Sequence, residues 1–120
     1  MDKNDEIIYQ VVRGERPCTD LKLLGVEFDF VDDARIMRMP YLKAVKLRVS
    51  DVANGLVKYH DQPKDLQKWA RFMLMASNLV DFDECEKETG WDVLLNALWD
   101  AMGNGTISEN ALHRAEELAK

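Results

Sequence analysis

The stretch Pro63–Val80, PKDLQKWARFMLMASNLV, decides the fold of this chain, because its apolar residues recur at the spacing of an α-helix. The apolar face is formed by Leu66, Trp69, Ala70, Met73, Ala76 and Val80, and it is widened by Phe72 and Leu79. Polar residues lie on the opposite side. A helix with such a broad apolar stripe needs to be covered by other elements, so we expect it to lie at the centre of the domain.

Helical patterns flank this central stretch on both sides. On the N-terminal side, Asp5–Arg13 has one apolar face and stops at Gly14, and Ser50 is placed to cap a helix over Asp51–His60. The apolar residues of the first helix are Ile7, Ile8, Val11 and Val12. Together these patterns predict a mainly α, single-domain helical bundle that spans residues 1–120.

On the C-terminal side, a turn or short helix can begin at Asp81, since Asp81-x-x-Glu84 has the form of a capping box. A helix is predicted from Trp91 to Met102, ended by glycine, and a last helix follows a cap at Thr106 or Ser108. The inner face expected for the Trp91 helix is Trp91, Leu94, Leu95, Leu98 and Met102.

Two stretches of the N-terminal half alternate in the manner of strands, Gly25–Val31 and Lys43–Val49. Their polar faces carry opposite charge, so they either pair as a small two-stranded β element or lie as extended segments against helices. Asn54-Gly55 is a hairpin signal, but the apolar spacing around it favours a helix.

Length, composition and charge exclude several classes of protein. The 120 residues suffice for one domain, and a net charge of −6 with a pI near 4.9 opposes binding to a phosphate backbone. Five bases lie between Arg35 and Arg48, and we expect them to pair with nearby acids instead of with nucleic acid. We therefore expect no nucleic-acid partner.

The sequence offers no catalytic or metal-binding pattern. It holds two histidines and two cysteines without ligand spacing, and no nucleophile motif or phosphate loop, so we expect no enzyme activity and no cofactor. No signal-peptide pattern opens the chain and no apolar run could span a bilayer, so we expect a cytoplasmic protein with no membrane partner and with reduced Cys18 and Cys85.

The strongest candidate site is an acidic tract. Its residues are Asp81, Asp83, Glu84, Glu86, Glu88 and Asp92. It is either a solvated helix-start region or a face that binds a cationic protein. Trp99 and Met75 fall at the edge or on the polar side of their helices, so each is a candidate apolar contact within a partner-binding surface.

The second half of the chain resembles a known class of small acidic bacterial proteins. The similar stretches are Gly55–Asp61, Leu66 with Trp69-Ala70, and Leu94–Ala101, within Ser50–Met102. They resemble immunity proteins of bacterial toxin–immunity systems, in particular those of contact-dependent growth inhibition.

The resemblance implies a cytoplasmic toxin inhibitor that binds one cognate toxin domain, one to one, and blocks its active site. Such toxins are often nucleases with basic clefts, to which an acidic face is complementary. The alternative is a small helical adaptor or regulatory protein that binds another protein partner.

Overall fold

The computed structural model of the chain describes residues 3–24, 27–29, 35–38, 45–75 and 80–120. Its helices are α1 (Lys3–Val12), a 3₁₀ helix (Cys18–Leu24), α2 (Val49–Tyr59), α3 (Pro63–Met75), α4 (Asp83–Glu86), α5 (Trp91–Asn104) and α6 (Glu109–Leu118). Its strands are β1 (Glu27–Asp29), β2 (Arg35–Arg38), β3 (Val45–Lys46) and β4 (Val80–Asp81). The fold is therefore mainly helical, as the sequence patterns predicted.

The core gathers around α3, which packs most extensively against α5, while α2 packs against α1 and α6. Trp69 of α3 is fully buried, and its indole N–H donates to the Val12 carbonyl at the end of α1. The largest fully buried side chains are Ile8, Val11, Leu21, Leu47, Leu56, Leu66, Trp69, Phe72, Met73, Leu94 and Leu98. The central position expected for the α3 stretch is thus confirmed.

The Asn54-Gly55 pair lies inside α2, so the helical interpretation of this stretch is confirmed. Glycine is required at position 55 because there is no room for a side chain. A Cβ on it would lie 2.2 Å from Trp69 Cζ2 and 2.3 Å from the Val12 carbonyl oxygen. The missing side chain therefore lets α1, α2 and α3 meet at one point.

A partly buried ion pair joins the end of α1 to the start of α2. Arg13 Nε lies 2.8 Å from Asp51 Oδ1, and the other oxygen of Asp51 accepts the Arg48 backbone N–H at 3.1 Å. Asp51 is the buried charged residue of the described core, and burial is tolerated because both of its oxygens have donors. This pairing fixes the entry of α2 relative to α1.

Several predicted boundaries and faces are wrong. Helix α2 begins at Val49, so Ser50 is not its cap, and α3 ends at Met75, since Val80 lies in β4; residues 76–79 lie outside the described part. On α5 the buried residues are Leu94, Ala97, Leu98 and Ala101, whereas Trp91, Leu95 and Met102 are only partly buried. The inner face of α5 is thus rotated, because packing on α3 selects the small alanines.

Of the two alternatives for Gly25–Val31 and Lys43–Val49, pairing with each other or lying as extended segments against helices, the described strands do not show the first. Strand β1 pairs with β2, antiparallel, and β3 pairs in parallel with β4. The connection from β3 to β4 includes both α2 and α3, and it returns the chain to lie beside β3. No helix within the described ranges is both long and apolar enough to cross a bilayer.

Replacing Gly55 tests the contact among α1, α2 and α3. We expect Gly55→Ala to lower the free energy of unfolding by ~2–3 kcal/mol, because the added methyl overlaps Trp69 and the Val12 carbonyl. Gly103→Ala is the matched control: Gly103 lies in α5 with open space around its Cβ position, so this change is neutral or stabilises by up to ~1 kcal/mol. Urea unfolding measures both, and similar values for the two variants would contradict the packing described here.

Candidate functional site

The acidic tract divides into two groups that face different neighbours. Glu84 and Glu88 are turned towards bases of the preceding segment. Glu88 Oε1 lies 3.0 Å from Arg48 Nη2, and Glu84 Oε1 lies 3.9 Å from Lys46 Nζ and 3.7 Å from Lys87 Nζ. Internal pairing of the basic stretch with the tract is thereby confirmed for Lys46 and Arg48.

Glu88 also caps a helix. Its Oε2 accepts the backbone N–H of Val49 at 2.9 Å, at the first residue of α2. A carboxylate there meets an otherwise unpaired donor and the positive end of the helix. Glu88 therefore stabilises the fold, and both of its carboxylate oxygens are engaged within the chain.

The β1–β2 ladder places further charges opposite each other along the backbone. Its register sets Glu27 opposite Arg38 and Asp29 opposite Arg35. Lys43, the remaining base of the predicted basic stretch, lies outside the described residues. The register therefore sets two acidic positions opposite two basic positions.

The second group of acids is exposed. No ion pair joins Asp83, Glu86 or Asp92 to any residue of the described ranges. The Asp81 carboxylate accepts the backbone N–H of Asp83 at 3.0 Å, which fixes the turn into α4. This turn begins the short α4 helix, but Glu84 pairs with Lys46 and does not complete the predicted capping box. Three uncompensated carboxylates thus remain on the surface around α4 and the start of α5.

An apolar groove adjoins these exposed carboxylates. It lies between α3, α4 and α5, encloses about 170 Å³ and has Glu86 among its lining residues. The other side chains that line it are Met73, Leu74, Phe82, Trp91, Leu95 and Leu98. We call this site the α3–α5 groove.

Two aromatic rings form one wall of the α3–α5 groove. The ring centroids of Phe82 and Trp91 are 5.7 Å apart, with 26° between the ring planes. Sequence analysis missed Phe82 as a site residue and placed Trp91 in the core. The signal was present in the two aromatics just inside the ends of the acidic tract, but only α4 folds them together.

The two predicted apolar contacts are both exposed. Trp99 is 55% exposed and lies one helical turn after Leu95, which lines the α3–α5 groove. Met75 is 37% exposed and directly follows Leu74, another lining residue. Both are thus exposed apolar residues near the groove in sequence, and neither is part of its lining.

Both cysteines are buried and free. The pKa of each thiol is raised to about 12, mainly by burial, and for Cys85 the nearby carboxylates of Glu88 and Asp51 contribute to this rise. The Cys85 thiol donates to the Leu47 carbonyl at 3.2 Å. Since the thiolate is the nucleophile, these cysteines are structural and unreactive near neutral pH.

In the part of the chain that the structure describes, no three His, Cys, Asp or Glu side chains converge as a metal site would need. Comparison of the chain with protein-family models, with curated proteins and with solved structures gave no match. A proposal for the function therefore rests on the geometry of the α3–α5 groove and its acids.

Substitution of two neighbouring glutamates tests which acids of the tract stabilise the fold and which are free. We expect Glu88→Ala to lower the free energy of unfolding by ~1 kcal/mol or more, because it leaves the Val49 N–H and Arg48 without an acceptor. Glu86→Ala is expected to change it by less than ~0.5 kcal/mol, since Glu86 is exposed and makes no such bond. Thermal or urea unfolding distinguishes them, and an equal loss would refute the division of the tract.

Proposed function

We propose that this chain is an immunity protein that binds a cognate bacterial toxin domain, one to one, in the cytoplasm and blocks its active site. The observation that carries the proposal is the α3–α5 groove, with the uncompensated carboxylate of Glu86 in its lining and the exposed Trp99 one helical turn after its lining residue Leu95. The resemblance of Ser50–Met102 to immunity proteins of contact-dependent growth inhibition supports the same function.

The apolar part of this surface suits a protein partner. Trp99 leaves more than half of its surface in water, although tryptophan is among the residue types that most often anchor protein interfaces. A tryptophan anchor contributes most to the binding free energy when the contacts around it exclude water. The groove provides apolar walls for such contacts. The partner is thus expected to cover the α3–α5 groove and Trp99 together.

The charged part of the surface suits a basic partner. Asp83, Glu86 and Asp92 have no compensating base among the described residues, and the chain carries a net charge of −6. Opposite charge on the partner raises the rate of encounter and disfavours acidic competitors. A nuclease domain with a basic cleft for nucleic acid has the complementary charge, and an acidic protein seated in that cleft excludes its substrate.

Inhibition by this route requires binding alone. The chain would act stoichiometrically, without turnover and without a cofactor, since steric exclusion of the substrate needs no bond to form or break. The alternative, an adaptor that binds a protein other than a toxin, predicts no protection of cells from the protein encoded next to this chain.

Charge reversal tests the steering surface. We expect Asp83→Lys/Glu86→Lys/Asp92→Lys to slow association with the toxin domain encoded next to this chain by ~10-fold or more at low salt. Glu6→Lys/Asp61→Lys/Glu116→Lys is the matched control, with the same change in net charge at exposed acids away from the groove. Stopped-flow kinetics at ~50 and ~500 mM salt gives the rates, and the difference between variants should shrink at high salt. If both variants associate equally fast, this surface does not steer binding.

Removal of Trp99 tests the apolar anchor. Trp99→Ala should speed dissociation of the toxin domain by ~10-fold or more, because a buried interface tryptophan typically contributes above ~1–2 kcal/mol. Leu23→Ala is the matched control, because Leu23 is 69% exposed on the 3₁₀ helix. Surface-based kinetics measures both, together with protection of cells from the toxin. Unchanged dissociation for Trp99→Ala would remove Trp99 from the interface.

A further inference from the structure

The α3–α5 groove has a size and a lining that select among partner side chains. Its volume of about 170 Å³ is well below the ~300–1,000 Å³ of pockets that enclose small-molecule ligands. A cavity of this size is suited to one side chain of a partner. The chemistry of the lining then decides which side chain.

Two features of the lining call for a cation with an apolar stem. The walls contributed by α3 and α5 are aliphatic, and Phe82 and Trp91 add two aromatic rings to them. Glu86 is the charged residue of the lining, and no base of the described ranges pairs with it. An aliphatic partner side chain would desolvate this carboxylate without giving it a partner, which is unfavourable.

Arginine fits this lining better than lysine. Its planar guanidinium stacks on aromatic rings, is more weakly hydrated than an ammonium, and pairs with a carboxylate through two parallel hydrogen bonds. Its methylene stem covers apolar surface while the charge stays at the opening. The groove offers a contact for each part of an arginine side chain: aliphatic walls for the stem, and aromatic rings and one carboxylate for the guanidinium.

We propose that the α3–α5 groove is a socket for a single arginine side chain of the protein partner, with the stem against Leu74 and Leu95 and the guanidinium at Phe82, Trp91 and Glu86. The proposal rests on the proposed function, because it names the part of the toxin domain that this surface holds. It also predicts that the partner's anchor is an arginine at the rim of its basic cleft.

The socket is tested first without any toxin. The ¹⁵N-labelled protein is titrated with N-acetylarginine amide, N-acetyllysine amide and N-acetylleucine amide, and backbone and indole N–H shifts are followed by NMR. The arginine probe should shift the Trp91 indole, Glu86 and Leu95 signals saturably, and the lysine probe should bind about two- to fivefold more weakly because it lacks the stacking plane.

Variants assign the contacts within the socket. Glu86→Gln should weaken the arginine probe about two- to fivefold, the range of an exposed ion pair, while Glu116→Gln on α6 should leave it unchanged. Phe82→Leu keeps the wall apolar and should reduce the preference for arginine over lysine. Melting curves of each variant establish that it is folded.

Each contrary result overturns the socket. The socket is refuted if the arginine probe causes no saturable shifts at the groove, or if the leucine probe binds as tightly as the arginine probe. It is also refuted if Glu86→Gln binds the arginine probe as tightly as the wild-type protein does. Binding of the toxin domain encoded next to this chain distinguishes a failure of the socket from a failure of the proposed function. If the arginine probe binds the groove and the toxin does not bind, the immunity function fails and the socket stands. If Glu86→Gln and Phe82→Leu release the toxin as slowly as wild type, the socket fails and the function stands.

Discussion

The structure depends on the contact at which Trp69 meets Gly55 and the end of α1. The indole N–H of Trp69 donates to the Val12 carbonyl at 3.1 Å, and the ring lies where Gly55 has no side chain. The bond satisfies a carbonyl at the last residue of α1, where the helix itself supplies no donor. One buried side chain thereby fixes three helices, and everything that packs on α3 follows from it.

The position of α3 in turn creates the candidate site. Helix α5 packs along α3 through Leu94, Ala97, Leu98 and Ala101, so its larger residues Trp91 and Leu95 are left at the edge of the contact. The short α4 helix brings Phe82 and Glu86 to this edge. A gap between two well-packed helices and a third short one therefore becomes the α3–α5 groove.

The acids of the tract serve two different purposes because their neighbours differ. Glu84 and Glu88 face the Lys46–Arg48 segment, where they pair with bases and cap α2. Glu86 faces the groove and has no base beside it among the described residues. One stretch of sequence thus supplies both the acids that stabilise the fold and the acids that remain free for the proposed partner.

The sequence by itself determined the helical class, the central place of the Trp69 helix and the acidic surface, since periodicity and composition are local properties. It also located Trp99 as an exposed apolar residue. Only the tertiary structure decided the rotation of α5, the pairing of β3 with β4, and the ion pairs that Glu84 and Glu88 make within the fold. These outcomes depend on which helix packs against which, and residues far apart in sequence set them: Val12 with Trp69, Val49 with Glu88, and Leu74 with Leu95.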